Sequence, residues 1–532
     1  MKTQLYAVLL AASLLGACGG GSGGSNSEGY FSGDGEQASN SQIDFTNLSI
    51  AEMTQVPFSG SHASVQTGEG DASYLLILNA VNTLPGSYTV QLADEGLPGL
   101  RMPELTVEKE LAEPDDALFH ELLVEGGAEM AASPRYRPVT QAEFSALTKV
   151  PEVGDHRTFK VLSSMTSLSK YDKVEATLRV ATTDLLFYVD DDGADHISDE
   201  ELQDLADKFQ EIILPIDRSL FGNESDINSD ARISIVMSCT TNRMSSSNGI
   251  VTGFFFPGDL YASSTVNPAS NAEEIFYTIL PDPDGKCGVP ISSEFALVNI
   301  LPGVLAHEYQ HMISFNRHVF LGKGKTEEPW LNEALSHLAE DLTGFGLENY
   351  SRVKLFLGQP NTTSLVSAGM PTLTERGASY AFLRYLYEQS VNGDAFLGNL
   401  LNGDATGVSN IVASFGGSDP EFDEFSEFLQ RWSIALAVTD TGMTSDPRYN
   451  YHARSTDPAT GNPTGLCFRC DARDGRGTIL NGPKILEVTD YPLTADLRSA
   501  ASEFFLIHGV PAHLMIQATG SAMLAGSMLR LE

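Results

Sequence analysis

One short pattern in this chain fixes both a local structure and a chemistry: His-Glu-Tyr-Gln-His at residues 307–311. It lies in an apolar run, residues 295–315, whose composition predicts a buried helix. In a helix, side chains at i and i+4 lie about 40° apart around the axis and roughly 6 Å apart along it, so both imidazoles can reach one metal ion. Glu308 projects beside them and can hold a water molecule without being a ligand.

A metal centre of this type needs a further donor from another part of the chain. A catalytic zinc ion takes three protein ligands and keeps one open position, and His307 and His311 supply two. Residues 330–340 have helical spacing of their own, and the polar, turn-rich loop 322–329 allows them to fold back antiparallel to the first helix. Glu333 would then face the two histidines, so one Zn²⁺ is the expected cofactor.

The residues around the two histidines distinguish between zinc-peptidase patterns. A metzincin has glycine three residues after the second histidine and another histidine three beyond it. Ser314 and Arg317 stand at those positions and His318 is one residue off, which excludes that pattern. Residues 305–316, followed by Trp-Leu-Asn-Glu at 330–333, resemble the hyicolysin family of zinc metallopeptidases in the gluzincin clan.

The resemblance covers about residues 180–440, and Asn332, Glu333 and Ser336 match the second helix of thermolysin-like gluzincins. It implies an α+β fold with a thermolysin-like core, in which a mixed sheet and active-site helices are followed by a helical lobe. It also implies hydrolysis of peptide bonds in proteins or peptides. Glu308 would be the general base that moves a proton from the attacking water to the leaving nitrogen.

Three further positions belong to this interpretation. His337 stands where thermolysin-like enzymes have the aspartate that orients the first histidine, so Glu340 or Asp341 would have to take that role, and His337 becomes a catalytic candidate. Tyr380 lies in a segment where several gluzincins keep a tyrosine near the substrate carbonyl; oxyanion stabilisation and simple core packing are both open. Residues 250–256 are a candidate edge strand for pairing with the peptide, or an interior strand.

The N-terminal residues are typical of an export signal. Residues 1–17 contain one lysine and an apolar run too short to cross a bilayer. The Leu-Gly-Ala-Cys sequence ending at Cys18 resembles a bacterial lipobox and implies a lipidated cysteine, with an ordinary secretory signal as the alternative. Residues 18–42 are rich in Gly and Ser and predict a flexible tether. We expect an exported lipoprotein of the bacterial outer membrane or cell surface, or a form released from it, whose sole membrane contact is the lipid.

The rest of the sequence divides into three predicted parts. Residues 43–155 contain short β-rich runs, such as 74–79 and 87–92, separated by Gly, Pro and Asn, which predicts an N-terminal accessory domain similar to a β-sandwich. Residues 156–455 form the predicted catalytic domain, in which predicted strands at 173–182, 184–189 and 232–238 precede segments of period near 3.6. Residues 198–201, Ser-Asp-Glu-Glu, resemble a capping box that opens a helix. Residues 456–532 predict a C-terminal loop and β module. The flanking modules are therefore both expected to be all-β.

Four cysteines remain once Cys18 is assigned to the lipid, and an even number in an exported chain predicts two disulfides. The preferred pairing joins Cys239 with Cys287 and Cys467 with Cys470, among three possible connectivities. The Cys-x-x-Cys pair could also be half of a redox or metal site.

A calcium site is a further possibility for the region before the metal-binding helix. Asp226, Asn228 and Asp230 offer alternating oxygen donors that suit Ca²⁺. An EF-hand loop needs glycine where this chain has Ala231, and no acidic residue closes the loop at its twelfth position. A polar turn at the end of a strand is the alternative.

Charge and motifs together leave three functions. The formal net charge of −38 argues against nucleic acid as a partner, because the phosphate backbone would be repelled. The first function is a lipid-anchored or secreted zinc endopeptidase. The second is an aminopeptidase of the same clan, which normally carries a Gly-Ala-Met-Glu-Asn-type segment for the substrate amine that this sequence lacks. The third is a catalytically silent surface adhesin with a structural metal.

Overall fold

The structure is a computed structural model. It describes residues 43–44, 49, 51–66, 72–94, 115–139, 151–245, 249–322, 324–367, 369–416, 422–508 and 513–531. The predicted export signal, Cys18 and the predicted tether lie outside these residues and stay predictions. Within the described part, no helix is both long and apolar enough to span a membrane.

The described residues mix strands and helices, which agrees with the α+β expectation. The strands are β1 Ile43–Asp44, β2 Met53–Gln55, β3 His62–Gln66, β4 Ser73–Ala80, β5 Ser87–Asp94, β6 His156–Leu162, β7 Tyr171–Ala181, β8 Leu185–Asp190, β9 Ile233–Met237, β10 Gly253–Phe255, β11 Ile275–Thr278, β12 Ser455–Thr456, β13 Pro463–Thr464, β14 Leu486–Val488, β15 Leu493–Arg498, β16 Ser502–His508, β17 His513–Ala518 and β18 Leu524–Arg530.

The α-helices lie mainly after β11. They are α1 Asp115–Ala132, α2 Asp199–Lys208, α3 Leu214–Phe221, α4 Cys239–Arg243, α5 Ser293–Phe295, α6 Leu301–Phe315, α7 Pro329–Leu342, α8 Asn349–Gly358, α9 Leu373–Gln389, α10 Gly393–Asn402, α11 Gly407–Ser414 and α12 Phe425–Val438. Turns of π-helix occupy Phe209–Ile213, Ala296–Ile300 and Asn316–Leu321, and short 3₁₀ turns occupy Asp191–His196, Pro257–Leu260 and Pro447–Tyr449.

A six-stranded mixed sheet supports the central helices, in the order β10-β11-β9-β8-β7-β6. Its strands β8, β9 and β11 run parallel to one another, and the outer pairs are antiparallel. The strands predicted at 173–182, 184–189 and 232–238 are confirmed as β7, β8 and β9. The predicted strand at 250–256 is β10, and it lies at the edge of the sheet.

Two five-stranded sheets combine strands from both ends of the chain. One has the order β1-β3-β17-β5-β15 and the other β14-β16-β4-β18-β2. The sequence predicted two separate β modules, and the structure differs because β4 pairs with β16 and β18 while β5 pairs with β15 and β17. The physical reason is that a few strands from one end leave unpaired edges and an unburied apolar face, which the other end supplies.

Strand β4 shows how this sandwich joins the rest of the molecule. All eight of its residues are buried, and its side chains alternate between two cores. Leu76 and Leu78 lie in the core between the two five-stranded sheets, while Leu75 and Ile77 belong to the core shared with the helices. Because successive side chains of a strand point to opposite faces, one strand serves both cores.

A second difference concerns residues 115–132, which the sequence placed in an all-β domain. They form α1, an 18-residue helix. Its apolar residues include Phe119, Leu123 and Met130, all buried in the core shared with the six-stranded sheet and the helices. The helix therefore packs against the predicted catalytic region instead of against the sandwich.

Two predictions about local structure are confirmed. Ser198 and Glu201 form a reciprocal capping box at the start of α2. The structure joins Cys239 to Cys287 and Cys467 to Cys470, which is the preferred pairing.

Candidate metal centre

Helix α6, which is buried along nearly its whole length, carries the two histidines. It continues from one π-helical turn into another, Ala296–Ile300 before it and Asn316–Leu321 after it. Helical spacing brings His307 Nε2 within 3.1 Å of His311 Nε2. The sequence-based expectation that both imidazoles can reach one point is therefore met by the geometry.

Helix α7 brings the third predicted donor to the same point. Glu333 Oε2 lies 3.5 Å from His307 Nε2, and Glu333 Oε1 lies 3.4 Å from His311 Nε2. A tetrahedral Zn²⁺ with ligands at about 2.0–2.1 Å holds its donor atoms roughly 3.4 Å apart. The three spacings agree with that value, so this donor set fits a zinc ion.

Arg376 neutralises the charge of this buried carboxylate. It comes from the first turns of α9, and its Nη1 lies 2.9 Å from Glu333 Oε2. Burial alone raises the pKa of Glu333, but Arg376, together with His307 and His311, holds it well below its usual range. Glu333 therefore stays ionised, as a metal ligand must.

Glu340 orients the first histidine. Its Oε1 accepts hydrogen bonds from His307 Nδ1 and from His337 Nδ1, each at 2.8 Å. A protonated Nδ1 leaves the lone pair of His307 Nε2 free for a metal. Asp341, the alternative considered from the sequence, instead accepts from Gly465 N and pairs with Arg384.

The carboxylates also control the protonation of His307. Burial by itself lowers the pKa of His307, but its hydrogen bonds to Glu333 and Glu340 outweigh burial and raise the pKa to about 10. Without a metal this ring is therefore an imidazolium at neutral pH, with a proton on Nε2 as well as on Nδ1. Metal binding has to displace the Nε2 proton, so it is coupled to proton release.

His337 belongs to the same cluster but faces away from the open side. Its Nε2 lies 3.9 Å from Glu333 Oε2, and it groups with His307 and Glu333 as a possible metal-binding trio. It is fully buried, whereas His311 lines the cavity beside Glu333. Burial lowers the pKa of His337 to about 3, so its ring is neutral. A catalytic ion needs an open position. This requirement favours His311 over His337 as the ligand that joins His307 and Glu333.

Glu308 lies between the cavity and the edge strand. Its Oε2 accepts a hydrogen bond from Phe255 N at 2.8 Å. Burial raises the pKa of this carboxyl, against the opposing charges of His307 and His311. Helix α6 can approach β10 closely because Gly253 has no side chain; a Cβ there would lie 2.5 Å from Val304 Cγ1. This contact holds Glu308 beside the donors without making it one of them.

Tyr380 does not reach this cluster. It lies one turn after Arg376 on α9 and is buried near the Asp341 carboxylate. Among the described residues it is not part of the cavity lining. The helix that was predicted to supply a tyrosine thus supplies an arginine. A basic residue in the first turn of this helix, Arg376, was the signal that sequence reasoning did not use.

A small cavity opens beside these side chains. Its volume is about 60 Å³. It is lined by His120, Leu123, Val124, Gly127, Phe255, Pro257, Glu308, His311, Ser314, Phe315, His318, Thr326, Glu327, Asn332 and Glu333. Four of these residues come from α1, which sequence reasoning assigned to another domain. Burial and the Arg376 guanidinium lower the pKa of one of them, His120, to about 3, so its imidazole is neutral.

Two comparisons with known proteins, one with family models and one with individual sequences, were informative to different degrees. No family model matches the chain. Over 311 residues it is 25% identical to a protein named neutral metalloprotease ShpI from Staphylococcus hyicus, and this match covers 55% of the chain. The similarity relates the chain to a protein that is named as a metalloprotease. The match spans 65% of the length of that relative, so it concerns part of the relative only.

The side chains considered for calcium are engaged within their own loop. Asp226 Oδ1 accepts from Ala231 N at 3.1 Å, and Asn228 Oδ1 accepts from Asp230 N at 3.1 Å. Asp230 Oδ1 accepts from Arg232 N at 2.8 Å. Side-chain acceptors bonded to nearby backbone N–H groups are typical of a polar turn, which was the alternative to a calcium site.

Proposed function

We propose that this chain is a zinc-dependent endopeptidase with a thermolysin-like, hyicolysin-type catalytic core. The observation that supports it most is the convergence of three donors. His307, His311 and Glu333 meet at spacings of 3.1, 3.4 and 3.5 Å. Glu308 lies beside them at the wall of a cavity. Two histidines and a carboxylate with an open side are the ligand set of catalytic zinc in thermolysin-like peptidases.

In this proposal the three donors hold one Zn²⁺, which when bound polarises a peptide carbonyl and lowers the pKa of a coordinated water to about 7. Glu340 keeps the His307 ring in position through the hydrogen bond to Nδ1. Arg376 keeps Glu333 ionised. These two residues therefore prepare the donors for the metal.

Glu308 is the proposed general base and acid. The pKa of Glu308 is raised towards neutral pH, where a carboxyl group can both take up and return a proton. It would remove a proton from the attacking water and deliver it to the leaving amide nitrogen. The hydrogen bond from Phe255 N fixes the orientation of the carboxylate while its free oxygen remains available.

The edge strand β10 is the proposed guide for the peptide. It pairs with β11 on one side, and Phe255 N–H on the other side points to Glu308. A peptide that lies along this outer edge would bring its backbone to the catalytic carboxylate irrespective of its side chains. This arrangement suits cleavage within a chain.

Replacement of the proposed base tests the function. We expect Glu308→Gln to lower kcat for an N-acetylated, internally quenched peptide by about 10²–10⁴-fold. Zinc content, measured by atomic absorption, should remain one ion per chain, because Glu308 is not a ligand. The blocked N-terminus prevents cleavage by an aminopeptidase, so turnover of this substrate reports endopeptidase activity.

Glu294→Gln is the matched control, since Glu294 is exposed and lies on the short helix α5 before α6. It should cleave the peptide at the wild-type rate. Equal rates for Glu308→Gln and wild type would contradict the proposed role of Glu308.

A further inference from the structure

One face of α1 forms a wall of the cavity at the metal centre. His120, Leu123, Val124 and Gly127 all line it. They stand at positions i, i+3, i+4 and i+7, which is one continuous stripe along a helix. The opposite wall of the cavity includes Glu308, His311 and Glu333. This helix is therefore packed directly over the side chains that carry the proposed chemistry.

The helix also contacts both sides of the cleft. On the side of the sheet, the Phe119 ring packs edge to face against Phe254 of β10, with ring centres 5.2 Å apart. On the side of α9, Glu121 Oε1 packs so close to Gly369 that a Cβ there would lie 2.8 Å from it. These contacts show that α1 bridges the space between the edge strand and the helical lobe.

Gly127 allows α1 to pack closely against Pro257 and Phe315. A Cβ added at Gly127 would lie 3.1 Å from Pro257 Cγ and 3.3 Å from Phe315 Cε2. These two ring systems have little freedom to move, so a larger side chain at residue 127 cannot be accommodated while α1 is docked. The adjacent Gly126 and Gly127 also lower the helix propensity of α1, so its helical form depends on docking.

The space left beside α1 is too small for a substrate. The cavity measures about 60 Å³. A single water needs roughly 10–15 Å³ on this scale, whereas pockets that hold organic ligands measure roughly 300–1,000 Å³. Several waters fit, but a peptide segment does not. The outer edge of β10, where Phe255 N donates to Glu308, borders this same cavity, so a peptide that lies along it needs the volume that α1 occupies.

We propose that α1 is an internal inhibitory segment, which occupies the peptide-binding groove and has to leave before a substrate can bind. This inference rests on the proposed function and adds a regulation of the same site. Docked and undocked states are in equilibrium, so the apparent affinity for a peptide is reduced by the fraction of molecules in which the groove is open. Anything that weakens docking increases peptide cleavage.

A pair of leucine substitutions on the same helix tests the inference. Gly127→Leu places a bulky side chain against Pro257 and Phe315 and should displace α1, whereas Glu125→Leu changes an exposed position of the helix. We expect kcat/KM for the N-acetylated quenched peptide to rise at least tenfold in Gly127→Leu. It should stay within twofold of wild type in Glu125→Leu, with zinc content unchanged in both.

Hydrogen–deuterium exchange of residues 115–132, read by mass spectrometry, gives a measurement that does not depend on activity. Exchange should increase in Gly127→Leu, and also in zinc-loaded wild type upon addition of a peptide hydroxamate, which competes with α1 for the groove. Glu125→Leu should exchange like wild type. Unchanged protection of α1 with the hydroxamate bound overturns the inference, because α1 would then be a fixed wall.

The two proposals fail in different ways. Equal cleavage by wild type, Gly127→Leu and Glu125→Leu overturns the inhibitory role of α1 and leaves the endopeptidase function standing. Absence of cleavage in all three zinc-loaded proteins overturns the endopeptidase function, and the inhibitory role with it.

Discussion

Two buried polar clusters in this molecule are built in opposite ways. At the metal centre, Glu333 and Glu340 are buried carboxylates that both contact histidines. Glu333 also contacts the Arg376 guanidinium. At the junction between the sandwich and the helices, Asn79 of β4 donates hydrogen bonds of 2.7 Å to Ser433 of α12 and Ser502 of β16. The first cluster is charged and the second is neutral.

The charge of each cluster indicates which of the two serves stability alone. Burying a charge is costly unless it is paired, and even a paired buried charge often adds little net stability compared with apolar side chains. A neutral hydrogen-bonded trio costs much less to bury. The junction is therefore well suited to hold two parts of the fold together. The burial of the charged cluster is explained best by its capacity to bind a metal ion.

Glu340→Gln is expected to give the largest change, and it concerns the charged cluster only. The substitution keeps an acceptor but removes the negative charge that holds the Nδ1 protons of His307 and His337. We expect the affinity for Zn²⁺ to fall by about 10–100-fold, as for other carboxylates that orient metal-binding histidines. Competition with a chromophoric chelator at pH 7 measures this affinity.

The neighbouring Asp341→Asn is the control for that experiment. Asp341 contacts Arg384 and Gly465, not the histidines, so zinc affinity should remain at the wild-type value. Equal losses of affinity in the two variants would indicate a general structural effect and would contradict the orienting role of Glu340.

Asn79→Leu concerns the neutral cluster. It removes the donor for two buried hydroxyl groups, and we expect the free energy of unfolding to fall by about 2 kcal/mol. Zinc affinity should not change, because the junction does not touch the metal centre. Urea denaturation followed by circular dichroism measures the first quantity. Gln55→Leu, at an exposed position of β2, is the control, and an equal loss there would contradict the prediction.

The smallest expected effect comes from Glu503, a buried carboxyl in β16. Burial raises its pKa to about 7, whereas the unfolded chain has the ordinary value of about 4.5. A raised folded-state pKa means that stability is lost as pH rises from about 4.5 to about 7. Glu503→Gln should therefore raise the free energy of unfolding by on the order of 1 kcal/mol at pH 7.5.

The same variant should have little effect at pH 4.5, where the carboxyl is neutral in the folded protein. Denaturation curves at the two pH values test this difference. Glu487→Gln, on the neighbouring strand β14, changes an exposed carboxyl and serves as the control. A gain for Glu503→Gln that is the same at both pH values would show that its ionisation is not the cause.

Sequence alone determined the features that depend on short-range spacing. The i, i+4 pattern placed His307 and His311 on one helix face, and the capping box at Ser198 marked the start of α2. Alternation and composition identified β4, β5, β7 and β8 as strands. These signals succeed because helix and strand periods are local properties of the backbone.

Which distant groups meet depends on the tertiary structure. It selected Glu340 over Asp341 as the partner of His307, and it brought Arg376 to Glu333. It also merged the two ends of the chain into one sandwich and packed α1 over the metal centre. Each outcome depends on contacts between residues far apart in sequence. Such contacts follow from the burial of whole faces and the pairing of buried charges, and no local period encodes them.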